Sequence, residues 1–335
     1  MAEGLPILIG LIALALVFDY INGMHDSANA IATVVSTRVL SPRNAIILSA
    51  VLNFGGAFAS TAVAKTIGKG IVDPHLVTNG IVASALLAAI FWNLLTWWYG
   101  IPSSSSHALI GGIIGAAVSH HGFKSLNAQG VWKIIESLLI SPLAGFAGGV
   151  IIMILLMWIF HKSPAGKVNR WFKHLQLVSA SFMAFSHGSN DAQKSMGIIT
   201  MALVGAGYLH PVGKDFSIPA WVIFLCASAM ALGTSAGGWR IIKTMGVKMI
   251  RLQPVHGFAA ETAASAVILT ATHFGAPVST THVISSAIMG VGSAKRASAV
   301  RWEIAGQMAV AWVLTIPFTA LVACLFGWGF KLLGD

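Results

Sequence analysis

Two short polar runs stand inside otherwise apolar segments of this chain, and each contains one aspartate. The first is NGMHDSANA (22–30) with Asp26, and the second is HGSNDAQKS (187–195) with Asp191. An unpaired charge is costly in lipid, so carboxylates at such depth are candidates for binding protons or cations. Capping of interrupted helices is the alternative, but the duplication favours a functional site. The flanking polar residues are exchanged between the runs: Asn22 and His25 in the first, His187 and Asn190 in the second.

A second pair of motifs has the residue types of an anion receptor. PSSSSH (102–107) and PVSTTH (277–282) each place a proline before a run rich in hydroxyl side chains. Proline ends one half-helix, and the residue that caps the next leaves free N–H groups and a positive dipole facing an anion. Hydroxyls that bond back to their own helix are the alternative, and the duplicated pattern favours a site. The candidate residues are Ser104, Ser105, Ser106, Ser279, Thr280 and Thr281.

Three further charged residues lie in apolar segments. Glu261, in GFAAETAAS, has no acidic counterpart in the first half, where Leu86 takes the matching place. It is a candidate proton or cation site or a partner for Lys194, unless it is a helix-end residue at the membrane interface. Lys194 follows Asp191 by three residues, so it either pairs with that acid or contacts an anion. Asp19 is a candidate supporting residue within the first helix.

One motif points to a different class of protein. GTSAG (233–237) matches the G-x-S-x-G nucleophile elbow of hydrolases. It falls inside a predicted span, and Ala57 replaces Ser235 in the other half, so packing of small residues between helices explains it better. The sequence contains no G-x-x-x-x-G-K-[ST] motif for ATP, and its histidines form no spaced metal-binding pattern. We therefore predict neither an enzyme nor a resident metal or cofactor.

The elements that must position these motifs are membrane-spanning helices. Of the 335 residues, 56% are hydrophobic and 9% charged, whereas a soluble domain carries about 25% charged residues. Apolar runs near the ~20 residues that cross a bilayer recur throughout. The net charge of +10 lies in the loops, which indicates membrane orientation rather than nucleic-acid binding. We predict an all-α polytopic membrane protein with helices at 5–36 (broken near 22–26), 44–64, 79–99, 102–119, 132–160, 175–208 (broken near 187–191), 218–242, 256–275, 277–293 and 303–332.

The chain also repeats itself, because both motif pairs recur in the same order with AKTIG (64–68) and IKTMG (242–246) between them. We expect a first repeat at 1–160, a cytoplasmic linker at 161–174 and a second repeat at 175–335. Each repeat has three spanning helices, one of them broken, and one re-entrant helical hairpin. The halves then have inverted topology with both termini extracytoplasmic, and 13 basic residues lie inside against 6 outside. Inverted repeats with interrupted helices are typical of secondary transporters.

Four segments resemble the PiT family of inorganic phosphate transporters: FDYINGMHDSANAIATVVSTRVL, FSHGSNDAQKSMGIITMAL, GFAAETAAS and HFGAPVSTTHVISSAIMG. The similarity runs from Phe18 to Gly292. The family's duplicated G-x-N-D-x-x-N signature corresponds to residues 23–29 and 188–194. His25 stands where sodium-coupled members have asparagine, and Lys194 stands where asparagine is usual. This pattern resembles the bacterial low-affinity branch, which couples to protons and can carry phosphate as a neutral complex with a divalent metal.

The resemblance implies phosphate held between the two aspartate runs and the two hydroxyl-rich tips, in a symporter that imports it by alternating access across the cytoplasmic membrane. Histidine titrates near neutral pH and suits proton coupling; sodium is the alternative ion and sulfate the alternative anion. The lipid bilayer is an expected partner, and the sequence leaves open whether the protein forms a homodimer. The implied substrate contacts are Asp26, Asn29, Ser104, Ser105, Ser106, Asp191, Gln193, Lys194, Ser279, Thr280 and Thr281, and the implied ion-coupling residues are His25, Asp26, Asn190, Asp191 and Glu261.

Overall fold

The computed structural model describes residues 4–73, 76–209 and 217–332, and these residues are almost entirely helical. Across this part of the chain twelve α-helices follow one another, with no strand beyond an isolated bridge between Val72 and Leu126. The all-α prediction is therefore confirmed. The helices are α1 (Leu5–Ser36), α2 (Pro42–Gly56), α3 (Ala62–Gly70), α4 (Asn79–Tyr99), α5 (Ser105–His121), α6 (Ala128–Ile159), α7 (Ala165–Gly205), α8 (Ala220–Ala236), α9 (Trp239–Lys243, continued by a π-helical turn Thr244–Lys248), α10 (Pro254–His273), α11 (Thr280–Lys295) and α12 (Trp302–Leu332).

Several of these helices have the length and composition to cross a bilayer. In the described part of the chain they are α1, α4, α6 and α12, and the bent pair of α8 and α9 can supply a fifth crossing. Most predicted boundaries agree with the structure within a few residues. The largest difference is at α7, which begins at Ala165 rather than at 175, so most of the predicted linker at 161–174 is helical. The predicted helices at 44–64 and 218–242 are each divided in two. The outermost residues of both predicted repeats lie outside the described ranges.

The predicted helix breaks near 22–26 and 187–191 are wrong, because α1 and α7 run continuously through both polar runs. A helix satisfies its own backbone hydrogen bonds, so a polar side chain on it needs only a protein partner beside it, not an interruption. The breaks fall instead between α2 and α3, and between α8 and α9, whose axes differ by 60°. Each predicted repeat does contain one interruption, but it follows the second helix of the repeat instead of lying within the first.

Each restarted helix is capped by a side chain from the motif helix of the other repeat. The Gln193 side chain on α7 accepts hydrogen bonds from the backbone N–H groups of Val63 (2.8 Å) and Ala64 (3.1 Å), which open α3. The Ser27 hydroxyl on α1 accepts a hydrogen bond from the backbone N–H of Gly238, 2.6 Å away, just before α9. Free N–H groups at a helix start need such partners when they are buried. The polar motifs therefore stabilise the starts of α3 and α9, the helices that follow the two breaks.

The glycines of the motifs have a packing role rather than the expected turning role. A β-carbon on Gly23 would collide with the backbone carbonyl of Met230 on α8, and one on Gly188 would collide with the backbone of Asn53 on α2. The partner helices are equally close, since Gly233 faces the backbone of Tyr20 on α1. Small residues let helix backbones approach in membranes. Each motif helix thus crosses a helix of the other repeat at close range.

The orientation of the halves is visible where α1 meets α7. The Thr37 hydroxyl, near the end of α1, donates to the Gln176 side-chain oxygen near the start of α7 at 2.8 Å. Asp26, in the middle of α1, approaches His187, in the middle of α7, within 4.8 Å. Residue numbers fall along one helix as they rise along the other, so these equivalent helices run antiparallel. This arrangement agrees with the predicted inversion of the repeats.

Two helical hairpins complete the fold. The hairpin of α4 and α5 turns at Gly100 (φ 66°), and the hairpin of α10 and α11 turns at Gly275 (φ 65°). Such positive φ angles favour glycine. The second arm of each hairpin packs against the last helix of the other repeat, α5 against α12 and α11 against α6. The two repeats are therefore interlocked rather than placed side by side.

Substitution of Gly23 by alanine is expected to destabilise the fold, because the added methyl group meets the Met230 carbonyl across the α1–α8 crossing. Overpacking of this kind costs roughly 1–3 kcal/mol. Thermal unfolding of the purified protein in detergent measures the effect as a lower melting temperature. Gly10→Ala is the matched control, since open space surrounds Gly10 on the same helix. Equal melting temperatures for the two variants would contradict the close crossing.

Candidate functional site

The two hairpin tips meet around the two motif aspartates. The Ser105 hydroxyl, on the first tip, donates to Asp26 Oδ2 at 2.9 Å. The Thr281 hydroxyl, on the second tip, donates to Asp26 Oδ1 at 3.1 Å, and the Thr280 hydroxyl donates to Asp191 Oδ2 at 3.1 Å. All five side chains are buried. Residues that lie as much as 255 positions apart in the sequence therefore form one polar centre.

Direct contacts also join the tips to each other. The Ser106 hydroxyl donates to the Val278 carbonyl at 2.9 Å, and the rings of His107 and His282 lie 4.4 Å apart, centroid to centroid. The Asn29 amide on α1 donates to both tip threonines, at 3.2 Å to Thr280 and 2.9 Å to Thr281. The helices α5 and α11 thus begin at the same centre, and the positive ends of both dipoles lie there.

The predicted tip residues divide into two roles. Ser104 accepts a hydrogen bond from the His107 backbone N–H at 3.1 Å, and Ser279 accepts one from the His282 backbone N–H at 3.2 Å. These two serines are N-caps of α5 and α11, which is the structural role that the sequence left open. The hydroxyls that follow them in the sequence bond to other elements: those of Ser105, Thr280 and Thr281 reach the aspartates, and that of Ser106 bonds to the other tip.

Histidines adjoin both aspartates. His25 Nδ1 lies 2.9 Å from Asp26 Oδ1, and its Nε2 lies 3.1 Å from the Thr96 hydroxyl on α4. His187 Nε2 lies 3.5 Å from Asp191 Oδ2, and its Nδ1 lies 3.1 Å from the Asn53 side-chain oxygen. The His25 imidazole is therefore hydrogen-bonded at both nitrogens, whereas His187 is hydrogen-bonded only to Asn53, and its other nitrogen lies beside Asp191 without a hydrogen bond.

Lys194 forms an ion pair with Asp191, its Nζ 2.7 Å from Oδ1. The lysine is 1% exposed, so its ammonium group has left water entirely and depends on this pairing. The expected alternative of a pair between Lys194 and Glu261 is wrong. With neutral histidines, two carboxylates and one ammonium give the centre one excess negative charge.

Two predicted site residues have their side chains committed elsewhere. The Gln193 carbonyl caps α3, and its amide donates to the Ser189 carbonyl on its own helix. In this conformation the oxygen therefore holds α3 and the amide is bound to α7 itself, so the Gln193 side chain has a positioning role, and its predicted substrate contact stays a prediction. The Asn190 amide donates to the Thr272 hydroxyl at 2.8 Å, which ties α7 to the first arm of the second hairpin.

Glu261 lies in a separate polar cluster. Its carboxylate accepts hydrogen bonds from the Thr33 hydroxyl (2.5 Å), the Gln176 amide (3.1 Å) and the Ser179 hydroxyl. The side chain is fully buried and stands about two turns inside α10, so Glu261 is not a helix-end residue. Thr33 lies seven residues beyond Asp26 on α1, which is about 10 Å along the helix axis.

Two asparagines that sequence reasoning did not assign to the site are buried without partners. Neither the Asn22 nor the Asn93 amide has a hydrogen-bond partner in the described part of the chain. The two carboxylate oxygens of Asp19 are also buried without a partner there. Asn22 and Asn93 lie one turn before His25 and Thr96, which bond to each other across α1 and α4. The signal for Asn22 was its place on the polar face of α1 with Asp19 and Asp26. Asn93 had no partner motif that could reveal it.

The centre has the donor set for a cation as well as for an anion. One oxygen each of Asp26 and Asp191 and one nitrogen of His187 lie within 4.8 Å of one another. Carboxylate and imidazole are common ligands of divalent cations. The hydroxyl-rich tips and helix starts face the same place and suit an oxyanion. By contrast, Ser235 of the hydrolase-like motif is exposed, and its hydroxyl donates to the Ala231 carbonyl of its own helix.

Comparison with known proteins agrees with these features. The family model described as "Phosphate transporter family" (PHO4) matches residues 22–323. The chain is 54% identical to a "Probable low-affinity inorganic phosphate transporter" of Bacillus subtilis, with 96% of each chain covered. It is 50% identical to a Rhizobium meliloti protein of the same description, with 96% of this chain and 95% of that protein covered.

A solved structure shares the fold. The chain superimposes on a structure titled "The sodium-dependent phosphate transporter" with a TM-score of 0.89 and 26% identity, covering 98% of this chain and 99% of the other. Both the relatives and the matched family are transporters, not enzymes. The sequence similarity and the shared helical architecture lead to one conclusion: the chain belongs to the phosphate transporter family and is a multi-pass membrane protein.

Proposed function

We propose that this protein is a secondary active symporter that imports inorganic phosphate across the cytoplasmic membrane. The observation that carries the proposal is the meeting of two hairpin tips, one from each repeat, on Asp26 and Asp191. A site built from two antiparallel halves can be reached from either face of the membrane when the halves rock against each other. Its residues are buried here, so this conformation is closed on both sides.

Phosphate is proposed to bind between the tips. The hydroxyls of Ser105, Ser106, Thr280 and Thr281 rotate freely and can donate to phosphate oxygens instead of to their present acceptors. The backbone N–H groups at the starts of α5 and α11 add their dipoles, and the Asn29 amide lies beside the second tip. A protonated phosphate oxygen can donate in turn to a carboxylate of Asp26 or Asp191, which a fully ionised sulfate cannot do.

Charge balance supports the entry of a cation together with the anion. Counted with neutral histidines, the centre has one more carboxylate than ammonium groups, and phosphate adds one or two negative charges in a medium of low dielectric constant, where unbalanced charge is expensive. The oxygens of Asp26 and Asp191 and the imidazole of His187 are close enough to hold a divalent metal. We therefore propose that phosphate travels as a metal–phosphate complex, with the metal as cargo on these three side chains and the phosphate on the tips.

Protons are the proposed coupling ion. His25 lies directly against Asp26 at the position where sodium-coupled relatives are expected to have asparagine, and Lys194 fills the second such position with a fixed positive charge. A histidine beside a carboxylate can pass a proton without a metal-sized cavity. Glu261 is proposed as a second coupling position, because the polar face of α1 continues from Asp26 through Thr33 to its carboxylate. Sodium is the alternative coupling ion, because the matched structure is titled "The sodium-dependent phosphate transporter".

Removal of either carboxylate is expected to reduce phosphate uptake by about 10- to 100-fold, because each accepts hydrogen bonds worth roughly 1.5–3 kcal/mol when charged. The variants Asp26→Asn and Asp191→Asn keep the side-chain shape, and uptake of radiolabelled phosphate into proteoliposomes measures the effect. Glu303→Gln, an exposed acid at the start of α12, is the control and should retain uptake. Near-normal uptake by both aspartate variants would refute the site.

The coupling ion is tested by imposed gradients. Uptake into proteoliposomes is expected to rise with an inward proton gradient and to ignore an inward sodium gradient. His25→Asn is expected to weaken the response to the proton gradient more than it lowers exchange of phosphate at equal pH, since exchange needs no net proton movement. Uptake that follows sodium and is indifferent to pH would overturn the proton assignment.

Metal co-transport is tested by chelation and by direct counting. Phosphate uptake is expected to fall on addition of a chelator, and radiolabelled Mn²⁺ should enter with phosphate in a constant ratio. His187→Gln is expected to raise the Mn²⁺ concentration needed for half-maximal uptake, whereas His120→Gln, at the far end of α5, should not. Excess sulfate is expected to compete weakly. Unchanged uptake in chelator would limit the cargo to phosphate alone.

A further inference from the structure

A basic cavity of about 820 Å³ opens at the end of the molecule where α10 begins, α11 ends and α12 begins. Four cationic side chains line it: Arg251, Lys295, Arg296 and Arg301. None has an ion-pair partner in the described part of the chain, and no acidic residue lines the cavity; Glu303 is the nearest acid along the sequence. Four unpaired positive charges around one cavity indicate an anionic ligand.

The cavity is separate from the transport centre and much too large for one phosphate ion. Lys295 lies 15 residues beyond Thr280 on the continuous helix α11, which is about 22 Å along the axis. Apolar side chains of Val247, Ile250 and Val291 share the lining with the charges. A ligand that fills this space therefore has an anionic part and an apolar part.

An apolar groove adjoins the basic cavity. It encloses about 240 Å³ between the end of α6, the start of α7 and the start of α10, and it shares Gln253, His256 and Lys295 with the cavity. Leu156, Met157 and Phe160, with Val168 opposite them, give it a hydrocarbon surface. The two spaces share these three residues as a common wall, so a charged compartment lies directly beside an apolar one.

The height of the site in the membrane fits a lipid. The exposed indoles of Trp158, Trp171 and Trp302 surround this end of the molecule, and tryptophan is enriched where acyl chains meet headgroups. The cavity thus lies at headgroup level, and the groove descends beside α6 towards the acyl chains. Basic pockets between helix ends at this level bind anionic lipid headgroups.

We propose that this site binds an anionic phospholipid, such as phosphatidylglycerol or cardiolipin, with its phosphodiester among the four cations and an acyl chain in the groove. The bound lipid joins α6 and α7 of the central connection to α10 and α11 of the second hairpin. It therefore contacts both the last helix of the first repeat and the elements that carry the second tip.

Native mass spectrometry of the purified protein with added phosphatidylglycerol tests the proposal. The wild type is expected to retain lipid adducts that phosphatidylcholine does not form and that millimolar inorganic phosphate does not displace. The triple variant Arg251→Gln, Arg296→Gln, Arg301→Gln is expected to lose at least about 80% of the adducts. The control Arg43→Gln, Arg170→Gln, Lys173→Gln removes the same charge from exposed positions on the same predicted side and should retain them.

Two further readouts separate loss of binding from loss of folding. The conservative variant Arg251→Lys, Arg296→Lys, Arg301→Lys keeps the charges and is expected to bind lipid almost as the wild type does. Phosphatidylglycerol should raise the melting temperature of the wild type and of the control but not that of the glutamine variant. Equal adducts on all variants, or displacement of the lipid by inorganic phosphate, would overturn the proposal, the latter in favour of a free-anion site.

Discussion

The structure depends on how two carboxylates are kept inside a bilayer. Asp26 and Asp191 are buried at the middle of long helices, where water cannot solvate them. Asp26 accepts hydrogen bonds from the hydroxyls of both tips and lies against the His25 imidazole, whereas Asp191 accepts them from Thr280 of the second tip and from the Lys194 ammonium. Since the donors to Asp26 come from both repeats, the centre is complete only when the two halves are assembled together.

That requirement explains the interlocked packing. Each hairpin brings its tip to the centre only if its second arm has a helix to lie against, and the other repeat supplies that helix. The motif glycines permit the close crossings of α1 with α8 and of α7 with α2. Ser27 and Gln193 then cap the restarted helices of the opposite repeat. The residues of each polar run therefore have two roles: the aspartates form the centre, and Ser27 and Gln193 cap helices of the scaffold.

Duplication made much of this arrangement predictable from the sequence. The repeated proline tips predicted the hairpins, and the distribution of basic residues predicted the inversion. The family resemblance implied the convergence of Asp26, Asp191, Ser105, Thr280 and Thr281. The helix breaks were misplaced because Gly23 and Gly188 have two possible uses, and only the partner helix decides between a turn and a close crossing. The capping role of Gln193 depends on a contact with a residue 130 positions away in the sequence. A local sequence pattern cannot predict a contact between residues so far apart in the chain.

The packing of helices of one repeat against helices of the other has a consequence for biogenesis. Gly23 on α1 packs against α8, whose Gly233 lies 210 positions later in the chain. At about 5–20 residues per second, α1 waits roughly 10–40 s in the membrane before its partner leaves the ribosome. During that interval Asp26 lacks the donors of the second tip, because Thr281 is synthesised later still. The nascent first half must therefore be shielded by lipid headgroups, water or an insertion factor until the second half arrives.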